Sequence, residues 1–176
     1  MAMLCAVTAV LSWVTLPLPV SPVPITGQTL GVMLTGFIMS PKEAVLSQVV
    51  YLLAGAIGLP VFSGASSGIG VILGPTGGYL IGFIPGAALI SMMMGFAMKR
   101  AELKSRSAMI GAAVVCALIG GVLIVDVFGV IRLATVTGLS ISKAASIGVL
   151  PYLLGDVLKC IAAAAVWEGL NRRKLI

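Results

Sequence analysis

Charged residues are scarce in this sequence, and histidine is absent altogether. Of the 176 residues only 9% are charged, whereas 60% are hydrophobic, and the mean hydropathy is +1.20. A chain with so little polar surface cannot face water as a globule, so its solvent is expected to be lipid. The composition therefore excludes an ordinary water-soluble domain and predicts an all-α membrane protein.

The lack of histidine and of several catalytic motifs also argues against most classes of enzyme. Without histidine the chain lacks the commonest general base and a frequent zinc ligand. No HExxH or GxxxxGK[ST] sequence occurs, so zinc proteolysis and P-loop ATP hydrolysis find no support. Serine-based hydrolysis finds none either, because the chain has no histidine to act as the base. Cys5, Cys116 and Cys160 are scattered through apolar segments without CxxC spacing, which indicates neither a disulfide framework nor a metal site. We predict that the protein is not an enzyme and holds neither a metal nor a cofactor.

What the sequence has instead is a series of long apolar runs separated by short polar loops. A helix needs about 20 apolar residues to cross a hydrocarbon core of ~30 Å. The runs predict six transmembrane helices, at residues 1–16, 28–39, 43–59, 76–98, 107–128 and 149–170. Residues 129–148 are predicted to be too polar to span, with a short interfacial helix at 140–147. We interpret residues 1–176 as a single transmembrane substrate-binding domain.

The net charge of +6 is explained by basic residues in loops, so nucleic acid is not an expected partner. With both termini inside, the inner loops hold eight basic residues: Lys42, Lys99, Arg100, Lys104, Arg106, Arg172, Arg173 and Lys174. The outer loops hold only Arg132 and Lys143. This bias predicts that both termini are cytoplasmic and that the loops after the first, third and fifth helices face outward.

Small residues recur every fourth position in two of the predicted helices, which favours close helix packing. One stripe, Gly74, Gly78, Gly82 and Gly86, begins two residues before the fourth predicted helix and continues into it. The stripe in the first consists of Ala2 and Ala6.

Asp156 and Lys159 are ionisable residues inside the last apolar run. Residues three apart on a helix share a face, with Cβ atoms roughly 5–6 Å apart. Charges at membrane depth are costly and usually point into a bundle or cavity. An ammonium beside a carboxylate offers donors next to acceptors, which suits a cyclic urea with one carbonyl oxygen and two N–H groups. The alternative is that the two charges only neutralise each other and hold the helix in place.

The segment GASSGIG at 64–70 matches the glycine-rich phosphate turn of short-chain dehydrogenases almost letter for letter. That turn works because it joins a strand to a helix inside a βαβ unit. Here it follows a predicted membrane helix and Pro60, and no alternating strand and helix pattern occurs. We therefore predict a flexible outer loop whose backbone approaches a small ligand, with a plain connector as the alternative.

Four further segments are PVPITGQTL at 22–30, GAIGLPVF at 55–62, LGPTGGYL at 73–80 and GDVLK at 155–159. Together and in this order they resemble BioY, the family of biotin-binding S components of energy-coupling-factor (ECF) transporters. The resemblance runs through nearly the whole chain, and the set is far more specific than any one motif. The chain departs from the family's pattern at its start, where members usually carry a short charged stretch.

The resemblance implies an S-component-like bundle in the plasma membrane of a prokaryote, with a biotin pocket near the outer face. In the family the aspartate and lysine of the last motif hold the vitamin, and here they are Asp156 and Lys159. Asp156 is expected to accept a ureido N–H, and Lys159 to donate to the ureido oxygen. Further candidate binding residues are Gln28, Phe62, Gly64, Gly68, Tyr79 and Tyr152. The aromatic residues have simple packing as their alternative role.

The resemblance also implies partners, namely a transmembrane coupling subunit and two ATPase subunits. The stripe of Ala2 and Ala6 corresponds to the surface by which S components dock on the coupling subunit. Ordinary packing against another helix of the same chain is the alternative. A second hypothesis for the whole protein is a self-sufficient ion-coupled transporter or channel, with Asp126 and Asp156 as ion or proton carriers.

Overall fold

Helices make up most of the structure, a computed structural model that describes residues 1–19, 21–99 and 105–173. Within those ranges nine α-helices occur: α1 (Ala2–Trp13), α2 (Gln28–Ile38), α3 (Pro41–Ala56), α4 (Ile69–Leu73), α5 (Gly77–Lys99), α6 (Arg106–Cys116), α7 (Val125–Thr137), α8 (Ile141–Gly148) and α9 (Leu153–Arg172). A π-helical stretch, Ala117–Ile124, joins α6 to α7, so that Arg106–Thr137 runs as one helix of 32 residues.

By length and composition, two helices in the described residues can cross a membrane, namely Gly77–Lys99 and Arg106–Thr137. A third span results if α8 and α9, which are bent by 58°, are taken together. Helices α1 and α2 are apolar but have only 12 and 11 residues. The arrangement of six spans therefore stays a prediction, as does the orientation of the termini. Three residues of the charge count, Arg100, Lys104 and Lys174, lie outside the described residues.

The bounds of α2 and α5 agree with the sequence prediction to within one residue. The predicted end of the fifth helix at residue 128 is wrong, because α7 continues to Thr137. Its continuation buries Val130, Leu133 and Ala134, which give the otherwise polar segment an apolar face. The helix ends where Gly138 adopts a left-handed conformation with φ 69°.

Two loops that the sequence predicts as irregular contain short regular elements. The proline-rich loop after α1 closes on itself, because β1 (Thr15–Leu16) pairs antiparallel with β2 (Ile25–Thr26). The loop after α3 contains a 3₁₀ turn, Ser63–Ala65, followed by α4. Both loops therefore contain backbone hydrogen bonds of their own.

The glycine stripe of α5 packs against the backbone of the long helix Arg106–Thr137, as the sequence predicts. A Cβ atom at Gly78 would lie 2.2 Å from the Phe128 carbonyl oxygen, and one at Gly86 would lie 2.6 Å from that of Gly120. Only glycine permits such an approach of two helices. Gly74 does not take part, because it caps the C-terminal end of α4.

Candidate ligand-binding site

A cavity that is partly open to its surroundings lies between α2, α5, α7 and α9. The two loops described above contribute to its wall through β2 and the residues around α4. Most of the lining is apolar or aromatic, and its ionisable side chains other than tyrosine are Asp126, Asp156 and Lys159. Such a mixture of apolar wall and a few polar groups is typical of small-molecule sites.

The predicted pairing of Asp156 and Lys159 is present in the cavity wall. Lys159 Nζ lies 2.9 Å from Asp156 Oδ1, and the Asp156 side chain is buried. Asp156 belongs to the first turn of α9, where the positive end of the helix dipole favours a carboxylate. The helix therefore holds both side chains on the face that is turned towards the cavity.

Lys159 makes a second contact, to the hydroxyl of Thr29 on α2, with an Nζ–Oγ1 distance of 3.1 Å. An ammonium group has three N–H donors, of which Asp156 and Thr29 engage two. The third remains for a ligand. Asp156 likewise accepts from Lys159 through Oδ1 and retains acceptor capacity on its second oxygen.

The three aromatic candidates all line the cavity. Phe62 is fully buried and packs edge-on against Tyr51, with ring centroids 5.7 Å apart. The Tyr79 hydroxyl donates to the Gly148 carbonyl at 2.9 Å, and the Tyr152 hydroxyl donates to the Val23 carbonyl. These hydrogen bonds hold the two tyrosine rings in place and leave their apolar faces for contact with a ligand.

Gln28 also lines the cavity, but its amide is already engaged. Its Nε2 donates to the Tyr51 hydroxyl at 2.6 Å, and its Oε1 accepts from Thr26 at 3.0 Å. Tyr51 in turn donates to the Val61 carbonyl at 2.7 Å. The side chain of Gln28 therefore connects β2, α2 and the loop after α3, and one N–H of its amide remains free of these contacts.

Gly64 and Gly68 are not brought to the cavity wall, which Ser63 lines instead. The Gly64 N–H donates to the Thr15 hydroxyl at 3.1 Å, and the Gly68 N–H donates to the Gly55 carbonyl at 2.7 Å. The GASSGIG segment lies between α3 and α5 rather than after a β-strand. It therefore lacks the context of a dinucleotide-binding turn.

Sequence reasoning missed Thr29 as a partner of Lys159, and it considered Asp126 only as an ion carrier. Thr29 carried a weak signal, since it lies within the PVPITGQTL segment. Asp126 carried a stronger one, because an ionisable residue inside an apolar run is a candidate functional residue by default. In the described residues no group of three or more Cys, Asp or Glu side chains lies close enough to hold a metal ion.

Ala2 and Ala6 lie away from the cavity, on the exposed face of α1. The opposite face of α1 buries Leu4, Thr8 and Ser12 in the bundle. The alanine stripe therefore faces outward from the described part of the chain.

A family model described as the BioY family matches residues 1–175. The chain belongs to the BioY family. The biotin transporter BioY of Rhizobium etli is 37% identical over 145 residues, which cover 81% of this chain and 75% of that protein. The biotin transporter BioY of Thermotoga maritima is 37% identical over 170 residues, which cover 97% of this chain and 91% of that protein.

Among solved structures, the S-component for biotin from an ECF-type ABC transporter matches with a TM-score of 0.86. It is 30% identical, and the match covers 97% of this chain and 88% of that one. The resemblance drawn from the four motifs is thereby confirmed, and the fold is that of an S component. Because the BioY relatives are transporters, the prediction that the chain is not an enzyme is also confirmed.

Proposed function

We propose that this protein captures biotin as the S component of an ECF-type ABC transporter. The observation that carries the proposal is the Asp156–Lys159 pair in the wall of a mostly apolar cavity. Relatives named as biotin transporters, and a structural match named as an S component for biotin, support the choice of ligand.

The polar end of biotin, a cyclic urea, fits the free capacity of this pair. The third N–H of Lys159 donates to the ureido oxygen, and the second oxygen of Asp156 accepts a ureido N–H. Because both protein groups are charged, these hydrogen bonds are stronger than neutral ones. Thr29, which also lines the cavity, accepts a hydrogen bond from Lys159 and so helps to hold the ammonium in place.

The apolar end of biotin, a thiophane ring with a valeryl chain, is covered by Phe62, Tyr79 and Tyr152. The free amide N–H of Gln28 adds one polar contact. Gly64 and Gly68 are not part of the proposed site, because their N–H groups already donate to Thr15 and Gly55.

We further propose that residues 1–176 form one multi-pass domain with six spans in a prokaryotic plasma membrane. Both termini lie inside, and the cavity opens to the outer face. The distribution of basic residues supports this orientation: of the described loop and helix-end residues, Lys42, Lys99, Arg106, Arg172 and Arg173 fall on the inner side.

The partners proposed are a transmembrane coupling subunit and two ATPase subunits. The sequence contains no GxxxxGK[ST] motif, so the energy for transport comes from those subunits. The exposed stripe of Ala2 and Ala6 is the proposed docking surface, because small residues let another helix approach closely. No cofactor takes part, and biotin is bound as a substrate.

Uptake of labelled biotin into proteoliposomes tests this function. The protein alone should bind biotin but accumulate little of it, whereas addition of the coupling subunit, the ATPases and ATP should give uptake. Lys143→Ala, which removes an exposed cation outside the cavity, should leave uptake unchanged. Accumulation by the protein alone, driven by an imposed ion gradient, would instead support the ion-coupled alternative.

A further inference from the structure

Asp126 places a second carboxylate in the wall of the cavity. It lies in the first turn of α7, whereas Asp156 lies in the first turn of α9, and both line the same space. The contacts proposed above for Asp156 and Lys159 use the ureido oxygen and one ureido N–H. The second N–H of the ring therefore still needs an acceptor.

Most other polar side chains of the wall are already committed. The hydroxyls of Tyr79 and Tyr152 donate to backbone carbonyls, and the oxygen of Gln28 accepts from Thr26. Asp126, by contrast, takes part in none of the ion pairs that the described residues form. No hydrogen bond of the described residues ends on Asp126 either, so its acceptor capacity remains for a ligand.

The surroundings of Asp126 indicate the direction from which its partner comes. Asp126 also lines a second, apolar groove, with Val130, Ile141 and Leu153 among its residues. That groove offers a carboxylate no polar partner, and an unpaired charge at membrane depth is costly. The polar partner of Asp126 must therefore be reached on the side of the cavity.

We propose that Asp126 is a further determinant of specificity, which accepts the ureido N–H that Asp156 does not. The inference rests on the proposed function. Along its edge a cyclic urea presents a donor, an acceptor and a donor. Asp126, Lys159 and Asp156 supply the complementary acceptor, donor and acceptor, and a ligand that lacks either N–H leaves one carboxylate oxygen without a donor.

The test compares biotin with two analogues in which one or the other ureido N–H is replaced by a ring oxygen. Affinities are measured by calorimetric titration of the purified full chain in detergent. Each analogue should bind wild type roughly 10-fold or more weakly than biotin, because a charge-assisted hydrogen bond is lost. Asp126→Asn should bind biotin more weakly than wild type by a similar factor. For the analogue that lacks the N–H bound by Asp126, the variant and wild type should have equal affinity. Glu43→Gln, the same carboxylate-to-amide change at the exposed start of α3, should match wild type for all three ligands.

Three results would overturn this role of Asp126. The first is biotin affinity in Asp126→Asn equal to that of wild type. The second is a loss in Asp126→Asn that is the same for biotin and both analogues, since Asp126 would then not act through an N–H. The third result needs no variant. If wild type binds one of the two analogues as tightly as biotin, then only one ureido N–H has an acceptor in the protein. Failure of wild type to bind biotin at all would contradict the proposed function instead.

Discussion

Thr29 on α2 accepts a hydrogen bond from Lys159 on α9, with 3.1 Å between Oγ1 and Nζ. The same ammonium lies 2.9 Å from Asp156 Oδ1, so it is held from two sides by two different helices. A lysine side chain has several free torsions, and fixing it before the ligand arrives reduces the entropy lost on binding. Thr29 is therefore expected to matter for affinity although it is not itself charged.

Replacement of Thr29 by valine removes the hydroxyl and keeps the shape of the side chain. We expect Thr29→Val to weaken biotin binding by roughly 5- to 50-fold, the range for loss of one hydrogen bond to a charged group. Thr29→Ser should restore most of the affinity. Thr135→Val, a matched change at an exposed position of α7, should have no effect in the same calorimetric titration. Equal losses in Thr29→Val and Thr29→Ser would show that the hydroxyl is not the cause.

The pairing of Asp156 with Lys159 was predictable because it depends only on the geometry of one helix. The glycine stripe of α5 was predictable for the same reason. The contact between Thr29 and Lys159 was not, because it depends on how α2 and α9 are placed relative to each other. A periodicity within one segment carries no information about that placement.

The loops and the end of α7 show a second limit. Pro19, Pro22 and Pro24 predict that residues 18–27 are extended, but the pairing of Thr15 with Thr26 turns the loop back on itself. Polar residues after 128 predict the end of a membrane helix, but Leu133 and Ala134 are buried by tertiary packing. In both cases long-range contacts, which the local composition does not encode, decide the structure.

The ion pair should also affect stability. Lys159→Met leaves the buried Asp156 without its cation, and we expect a loss of about 3 kcal/mol in the free energy of unfolding. The double variant Asp156→Asn with Lys159→Met removes both charges and should recover most of that loss without recovering biotin binding. Thermal unfolding in detergent, without ligand, measures the stability of the single and the double variant. A double variant less stable than Lys159→Met alone would contradict this explanation.

The close approach of α5 to the long helix Arg106–Thr137 predicts a difference between two glycines of α5. Gly78→Ala places a Cβ atom 2.2 Å from the Phe128 carbonyl oxygen, so the helices must separate, at a cost of about 1–3 kcal/mol. Gly95→Ala meets nothing within 4 Å and should be neutral or stabilising by about 0.5–1 kcal/mol. Unfolding temperatures of the two variants test this directly, and equal shifts would contradict the packing described.

Glu168 binds two arginines, with 3.0 Å from its Oε1 to the Nε atoms of both Arg106 and Arg172. Glu168 is buried, whereas each arginine side chain is more than 60% exposed. We expect Arg106→Gln or Arg172→Gln to cost less than about 1 kcal/mol, because solvent screens an exposed charge. Glu168→Gln should lower the unfolding temperature more than either. Biotin affinity should stay unchanged in all three, since none of these residues lines the cavity.

The exposed alanine stripe of α1 predicts a variant that separates binding from transport. Ala6→Leu adds bulk to the proposed docking surface, so uptake with the coupling subunit and the ATPases should fall while biotin binding by the protein alone is retained. Ala165→Leu, an equal change at an exposed position of α9, is the control. Uptake reduced equally by both variants would argue against a specific role of Ala6.

Asp156 and Lys159 are expected to bind a neutral ureido group in the cavity. Titration of biotin into the purified protein tests it most directly, with wild type, Asp156→Asn and Lys159→Ala compared in folded form. We expect wild type to bind one biotin per chain in a saturable manner, and both variants to lose this binding. Binding by both variants with the affinity of wild type would contradict it.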